Sequence, residues 1–146
     1  MRLLLLIFFS GIFFSTPNWQ TNMEKAQQQG RAENKNILLN FAGSDWCGPC
    51  IILNKEIFDS EVFEQYSNDH LILVKADFPR LKKNQLSKEQ QKLNDLLAEK
   101  YNIDGVFPLT LLLSPDGNVL KKWEGLPRIS PEGFIDEIKL LENAIK

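Results

Sequence analysis

The chain is poor in metal ligands and in any excess of one charge. Its 146 residues include one histidine, His70, and two cysteines, Cys47 and Cys50. A zinc site needs four protein ligands, or three and a water, so ligand counting within one chain argues against zinc. The formal net charge is −2, without the basic excess of a nucleic-acid-binding surface. The paired lysines Lys82-Lys83 and Lys121-Lys122 read as solvated surface. No apolar run reaches the ~20 residues that span a bilayer, and there is no internal repeat or low-complexity tract. With 43% apolar and 25% charged residues, what remains is an ordinary globular chain. It is long enough for one domain that buries its own core without disulfide staples.

An apolar stretch does open the chain. Leu3 to Phe14 follows Arg2, and a short apolar run behind a positive charge matches a secretory signal peptide. Residues 1–16 are expected to be that signal peptide, with residues 17–146 as the domain. Small residues three apart are missing before Ser15 and Thr16, so an uncleaved membrane anchor is the alternative. No cysteine near the leader is available for lipid attachment. Either way the domain faces an oxidising compartment, periplasmic or extracellular, where a cysteine pair persists as a disulfide unless something reduces it.

Pro17 to Asn22 reads as a linker, and Met23 to Arg31 as a polar helix weakened near its end by Gly30. Ile37 to Phe41 is a short apolar run suited to a buried central strand. Ile51, Ile52, Ile57, Phe58 and Phe63 fit a helix with one broad buried face. Leu71 to Phe78 is a second buried strand, and Pro79 to Lys92 a solvated insertion with the potential to dock a partner. Ser87 with Gln90 forms a capping-box start, followed by Leu93, Leu96, Leu97 and Tyr101 at helical spacing. Leu109 to Leu113 and Val119 to Trp123 flank Ser114-Pro115-Asp116-Gly117-Asn118 as a hairpin. Ser130-Pro131 starts a closing helix with Phe134, Ile135, Ile138, Leu141 and Ile145 on its apolar face. This order predicts one α/β domain with a mixed sheet, parallel through its crossover helices and antiparallel at the terminal hairpin.

Cys47-Gly48-Pro49-Cys50 falls between the first strand and a helix. A cysteine there sits beside unsatisfied backbone N–H groups and the positive end of the helix dipole, which favour a thiolate. The spacing brings the second sulfur within reach of the first, and Pro49 holds the turn between them. Cys47 is expected to attack, and Cys50, one turn further in and more buried, to resolve the mixed disulfide. A permanent staple closing so small a loop would add little stability. His70 reads as a surface or strand-edge residue.

Trp46-Cys47-Gly48-Pro49-Cys50 after a buried strand resembles the active site of the thioredoxin family, and Val106-Phe107-Pro108-Leu109-Thr110 is similar to that family's cis-proline loop. The resemblance runs from about Ile37 to Ile145. The extra residue in Gly43-Ser44-Asp45, together with the polar helix before the domain, is most like the exported thioredoxin-related proteins of bacteria. It implies a thioredoxin-like fold, a mixed central sheet flanked by helices with an N-terminal helical extension. It also implies a cis bond before Pro108, with Phe107, Pro108 and Trp46 forming the substrate-binding surface and Gly48 and Pro49 the active-site turn. Where the family carries a buried acid as proton acceptor for the second cysteine, this chain has Asn40. An amide cannot take that proton, which leaves the route to water or to another base, with Asp45 and Lys75 as neighbours.

The function these readings imply is thiol–disulfide oxidoreduction on disulfides of exported proteins, without metal or other cofactor. The Gly-Pro dipeptide resembles that of reducing members, and an oxidase or isomerase is the alternative direction. A non-catalytic peptide-binding or chaperone module is the rival class. The expected protein is a monomer served by a thiol–disulfide redox partner.

Overall fold

Alternation along the central strand decides how the layers form. In β2 (Asn36–Ala42) the side chains of Ile37, Leu39 and Phe41 point to one face of the sheet, while Leu38 and Asn40 point to the other. Both faces are covered, so the strand is buried along almost its whole length. The computed structural model describes residues 17–144. The expected leader, residues 1–16, and Ile145 of the closing helix lie outside them.

The elements run β1 (Trp19–Gln20), α1 (Met23–Glu33), β2, α2 (Gly48–Leu53), α3 (Glu61–His70), β3 (Leu71–Asp77), α4 (Lys88–Tyr101), β4 (Leu109–Leu113), β5 (Val119–Glu124) and α5 (Pro131–Ala144). The sheet order is β1-β3-β2-β4-β5. Strands β1, β3 and β2 are parallel, and β4 and β5 are antiparallel to their neighbours. Ala26 of α1 and Leu97 of α4 pack on the Ile37 face. Phe58, Phe63, Phe134 and Ile138 pack on the Leu38 face, with Phe58, Phe63 and Phe134 in mutual aromatic contact. The expected mixed α/β sheet is the one observed.

Several local expectations are corrected. Trp19-Gln20 is an edge strand paired with Leu73 and Val74, and the Trp19 ring lies 5.1 Å from that of Phe58, so this stretch is no linker. Two residues are too few to show a period. Helix α1 passes through Gly30 and ends at Asn34, which takes a left-handed φ of 54°. The single helix expected from Ile51 to Phe63 is two. A π-turn at Asn54–Phe58 ends the first, and Ser60 caps the second by accepting the Phe63 N–H. Ile51 and Ile52 are consequently 49% and 41% exposed instead of buried.

Ser87 caps α4 as expected, but the Gln90 amide donates to the Thr21 carbonyl and to Asn94, not back toward Ser87. Leu93 and Leu96 are exposed, and α4 buries Asn94 and Leu97. The expected insertion is shorter than Pro79–Lys92, because residues from Lys88 onward belong to α4. The hairpin and the Ser130-capped α5 stand where the sequence places them, with Gly117 supplying a φ of 88° in the turn. His70 ends α3, exposed and stacked on Tyr66.

Candidate active site

Strand β2 ends at Ala42, and the chain must turn sharply to start α2. The Gly43 carbonyl accepts the N–H groups of both Trp46 and Cys47 at 3.3 and 2.9 Å, so the extra residue is absorbed in a closed turn. Asp77, at the end of neighbouring β3, braces that turn by accepting from the Ser44 N–H and hydroxyl at 2.9 and 2.5 Å. Cys47 occupies the N-cap of α2, Pro49 sits in its first turn, and the Cys47 sulfur accepts the Cys50 N–H at 3.3 Å. Cys47 and Cys50 form a disulfide with Cα atoms 5.2 Å apart.

Both cysteines are 5% exposed in this oxidised form. The greater burial expected of Cys50 is therefore not a difference in residue exposure. Position separates them instead: Cys47 faces the helix terminus, and Cys50 lies one turn inside, on the wall of a cleft.

That cleft has a volume of about 280 Å³ and is lined by Asn40, Cys50, Asn54, Asp59 and Lys75 among others. Strand alternation explains the set. Asn40 pairs laterally with Thr110 on β4 and with Lys75 on β3, all on the α2 side. The buried Asn40 amide donates to the Thr110 hydroxyl at 3.0 Å, satisfying both groups. Lys75 donates to Asn54 at 2.7 Å, and Asn54 in turn donates to Asp59 at 2.8 Å. Burial pushes the Lys75 ammonium below its ordinary value, against the opposing pull of Asp59 and Asp77.

Trp46 and Phe107 pack against the disulfide together with Ala42. Phe107 meets the rings of Trp46 and Phe78 edge-on, each at 5.5 Å, and the Trp46 indole N–H donates to the Phe78 carbonyl at 2.7 Å. Pro108 is buried behind a cis peptide bond, as the resemblance implies. The segment entering it is clamped by Asn102, which accepts the Val106 N–H at 2.8 Å and donates to the Val106 carbonyl at 2.9 Å. The sequence reading missed Asn102. Its only local signal is an Asn directly after a helix, which does not say what the side chain will hold.

Asp45 does not line the Cys50 cleft. Its carboxylate accepts the N–H groups of Arg80 and Leu81 and the Asn84 amide at 2.9, 3.0 and 3.0 Å, fixing the loop after β3. Those bonds, the Arg80 N–H first, hold its pKa below the ordinary aspartate value. A depressed folded-state value means the anchoring is whole above the ordinary value and is lost as pH falls through the lower one. Acidification through that window is expected to release the loop. Hydrogen exchange at the Arg80 and Leu81 amides should accelerate there before the β2 amides do, and joint loss of protection would contradict the assignment.

Among the described residues no group of three or more His, Cys, Asp or Glu side chains could hold a metal ion.

Comparison with known proteins places this geometry. The family model described as Thioredoxin-like matches residues 18–115. The chain is 34% identical over 128 residues to the disulfide bond reductase DsbH of Chlamydia pneumoniae, taking in 88% of this chain and 72% of that one. It is 28% identical over 96 residues to the thioredoxin-related protein DsbJ of the same organism, covering 66% of this chain but 27% of DsbJ. The solved structure of a DsbH oxidoreductase superposes with a TM-score of 0.78 at 26% identity, over 97% of this chain and 92% of that one. With its Cys47–Cys50 pair, this protein is a thiol–disulfide oxidoreductase. By the extent of these matches, and by the sheet order and cysteine-capped helix that accompany them, the chain belongs to the thioredoxin-like family.

Proposed function

We propose that the protein reduces disulfides of exported proteins, with Cys47 as the attacking thiolate and Cys50 as the resolving thiol. The observation that carries the reading is the placement of Cys47 at the N-cap of α2, where its sulfur already accepts a backbone N–H. In the reduced protein that donor and the helix terminus favour the thiolate. The Cys47 thiolate attacks one sulfur of a substrate disulfide, forms a mixed disulfide and expels the other sulfur as a thiolate. Cys50 gives up its proton and attacks the Cys47 sulfur. The Cys47–Cys50 bond forms as the bond from Cys47 to the substrate breaks, and the second substrate sulfur leaves as a thiolate that takes up a proton. Two electrons pass to the substrate, and a thiol–disulfide partner must return them before the next cycle.

Asn40 holds the position beside this step, but its amide is committed to Thr110 and takes no proton. The open cleft at Cys50 supplies water, with Lys75 and Asp59 on its wall, and this is the proton route we favour. Trp46, Phe107 and Pro108 form the substrate face, Gly48 and Pro49 the turn that presents it. An extended peptide would lie along the loop ahead of Pro108 and bind chiefly through main-chain groups.

Export to the periplasm or beyond rests on the leader pattern of residues 1–16, with tethering by an uncleaved leader as the variant. No helix among the described residues is long and apolar enough to cross a membrane. Support for the reducing direction comes from the Gly48-Pro49 dipeptide and from the relative named as a disulfide bond reductase. Equilibration of Cys47/Cys50 with a thiol buffer of known potential tests it. A reductase is expected near thioredoxin's potential of about −270 mV, whereas a value near −120 mV, that of a strong oxidant, rules the direction out.

A further inference from the structure

The loop that Asp45 anchors carries a concentration of positive charge beside the redox pair. Arg80, Lys82 and Lys83 lie within four residues, all exposed, the lysines opening a single 3-10 turn. The Arg80 guanidinium lies 3.7 Å above the Trp46 ring, and Trp46 packs on Cys47 and Cys50. Through Arg80 the charged loop touches the substrate face.

None of the three cations is in a salt bridge among the described residues. Asp45 offsets one positive charge, with its oxygens occupied by the loop's N–H groups and by Asn84. A groove of about 410 Å³ between Pro79 and the start of α4 is lined by Lys88 and Lys92 and by one carboxylate, Asp95. All this positive charge is gathered on a chain whose net charge is −2.

We infer that Arg80, Lys82 and Lys83 recognise an acidic segment flanking the substrate's disulfide, so that this oxidoreductase prefers acidic protein substrates. The inference rests on the reductase reading above. Three features favour a recognition surface over incidental solvated charge. The loop is held by three hydrogen bonds that it donates to one carboxylate, its arginine is stacked on the tryptophan next to the attacking cysteine, and its charge opposes that of the whole molecule. An acidic partner is steered to such a patch and discriminated from a basic one, with an effect that salt removes.

The test uses the reduced full chain and three synthetic peptides, each with one intrachain disulfide flanked by glutamates, serines or lysines. Rates of peptide reduction are measured from about 0.01 M to about 1 M salt, over which the screening length falls from about 30 to about 3 Å. The glutamate peptide is expected to react about tenfold faster than the serine peptide at low salt, with the advantage gone at high salt. In Lys82→Glu/Lys83→Glu, two exposed positions, the ratio should invert in favour of the lysine peptide. Equal rates for the three peptides in the native protein overturn the inference while leaving the reductase reading intact, as does an unchanged ratio in the variant. If no peptide is reduced, the reductase reading itself fails and the substrate preference falls with it.

Discussion

Cys47→Ser is expected to lower disulfide reduction to the uncatalysed background, and Cys50→Ser to stall after one attack as a stable mixed disulfide. The serine hydroxyl is a far weaker nucleophile at neutral pH than the thiolate it replaces. The substitution isolates chemistry from folding, because serine is itself a favoured N-cap and can accept the Cys50 N–H as the sulfur does. The lost disulfide closes too short a loop to matter greatly to stability. Thermal unfolding of Cys47→Ser should therefore stay close to that of the reduced native protein, while turnover disappears. In Cys50→Ser the captured substrate is read as a band that a thiol reagent releases on a non-reducing gel. Retained function in Cys47→Ser, or a Cys50→Ser protein that captures nothing, would move the protein to the rival class of non-catalytic binding modules.

Gly43→Val is expected to destabilise the protein by about 3 kcal/mol, the upper part of the range for overpacking a filled site. A Cβ at this position would overlap the Trp46 indole, meeting Cζ2 and Nε1 at 2.6 Å and Cε2 closer still. A flexible side chain could swing aside. The indole cannot do so cheaply, since its N–H is bonded to Phe78, its face is covered by Arg80 and its edge meets Phe107. Moving it would disturb the packing against Cys47 and Cys50 as well. For a chain of this size the loss corresponds to a fall in Tm of roughly 10 °C. It should come with altered tryptophan fluorescence and slower reaction of Cys47. A Tm within a degree of the native value would show that the turn yields and that the close approach is not what requires glycine.

Much of the fold was legible because its signals are local. The apolar runs at Ile37–Phe41 and Leu71–Phe78, the serine caps at Ser87 and Ser130, and the glycine turn at Gly117 each announce an element within a few residues. Trp19-Gln20 was illegible because its strand character comes from pairing with β3, not from its own pattern. Ile51 and Ile52 looked like core because hydrophobicity says nothing about which side of a helix meets a neighbour. They lie within the short α2, on the side that packs on no neighbouring element, with Ile51 at the edge of the cleft.

The site divides in the same way. Sequence alone determined that two cysteines stand at a helix start after a buried strand, with a proline loop far downstream and an amide where an acid was expected. Those are properties of residue type, spacing and element order, all written along one chain. Tertiary structure decided that Asn40 is spent on Thr110, that Lys75 turns toward the Cys50 cleft and that Asn102 clamps Val106. It also decided that Asp45 holds the loop carrying Arg80, Lys82 and Lys83 and does not line the Cys50 cleft. Each of these depends on which strands lie side by side and on what remains for a polar side chain to bond once its neighbours are in place. Such choices are made between segments remote in sequence, where no local pattern records them.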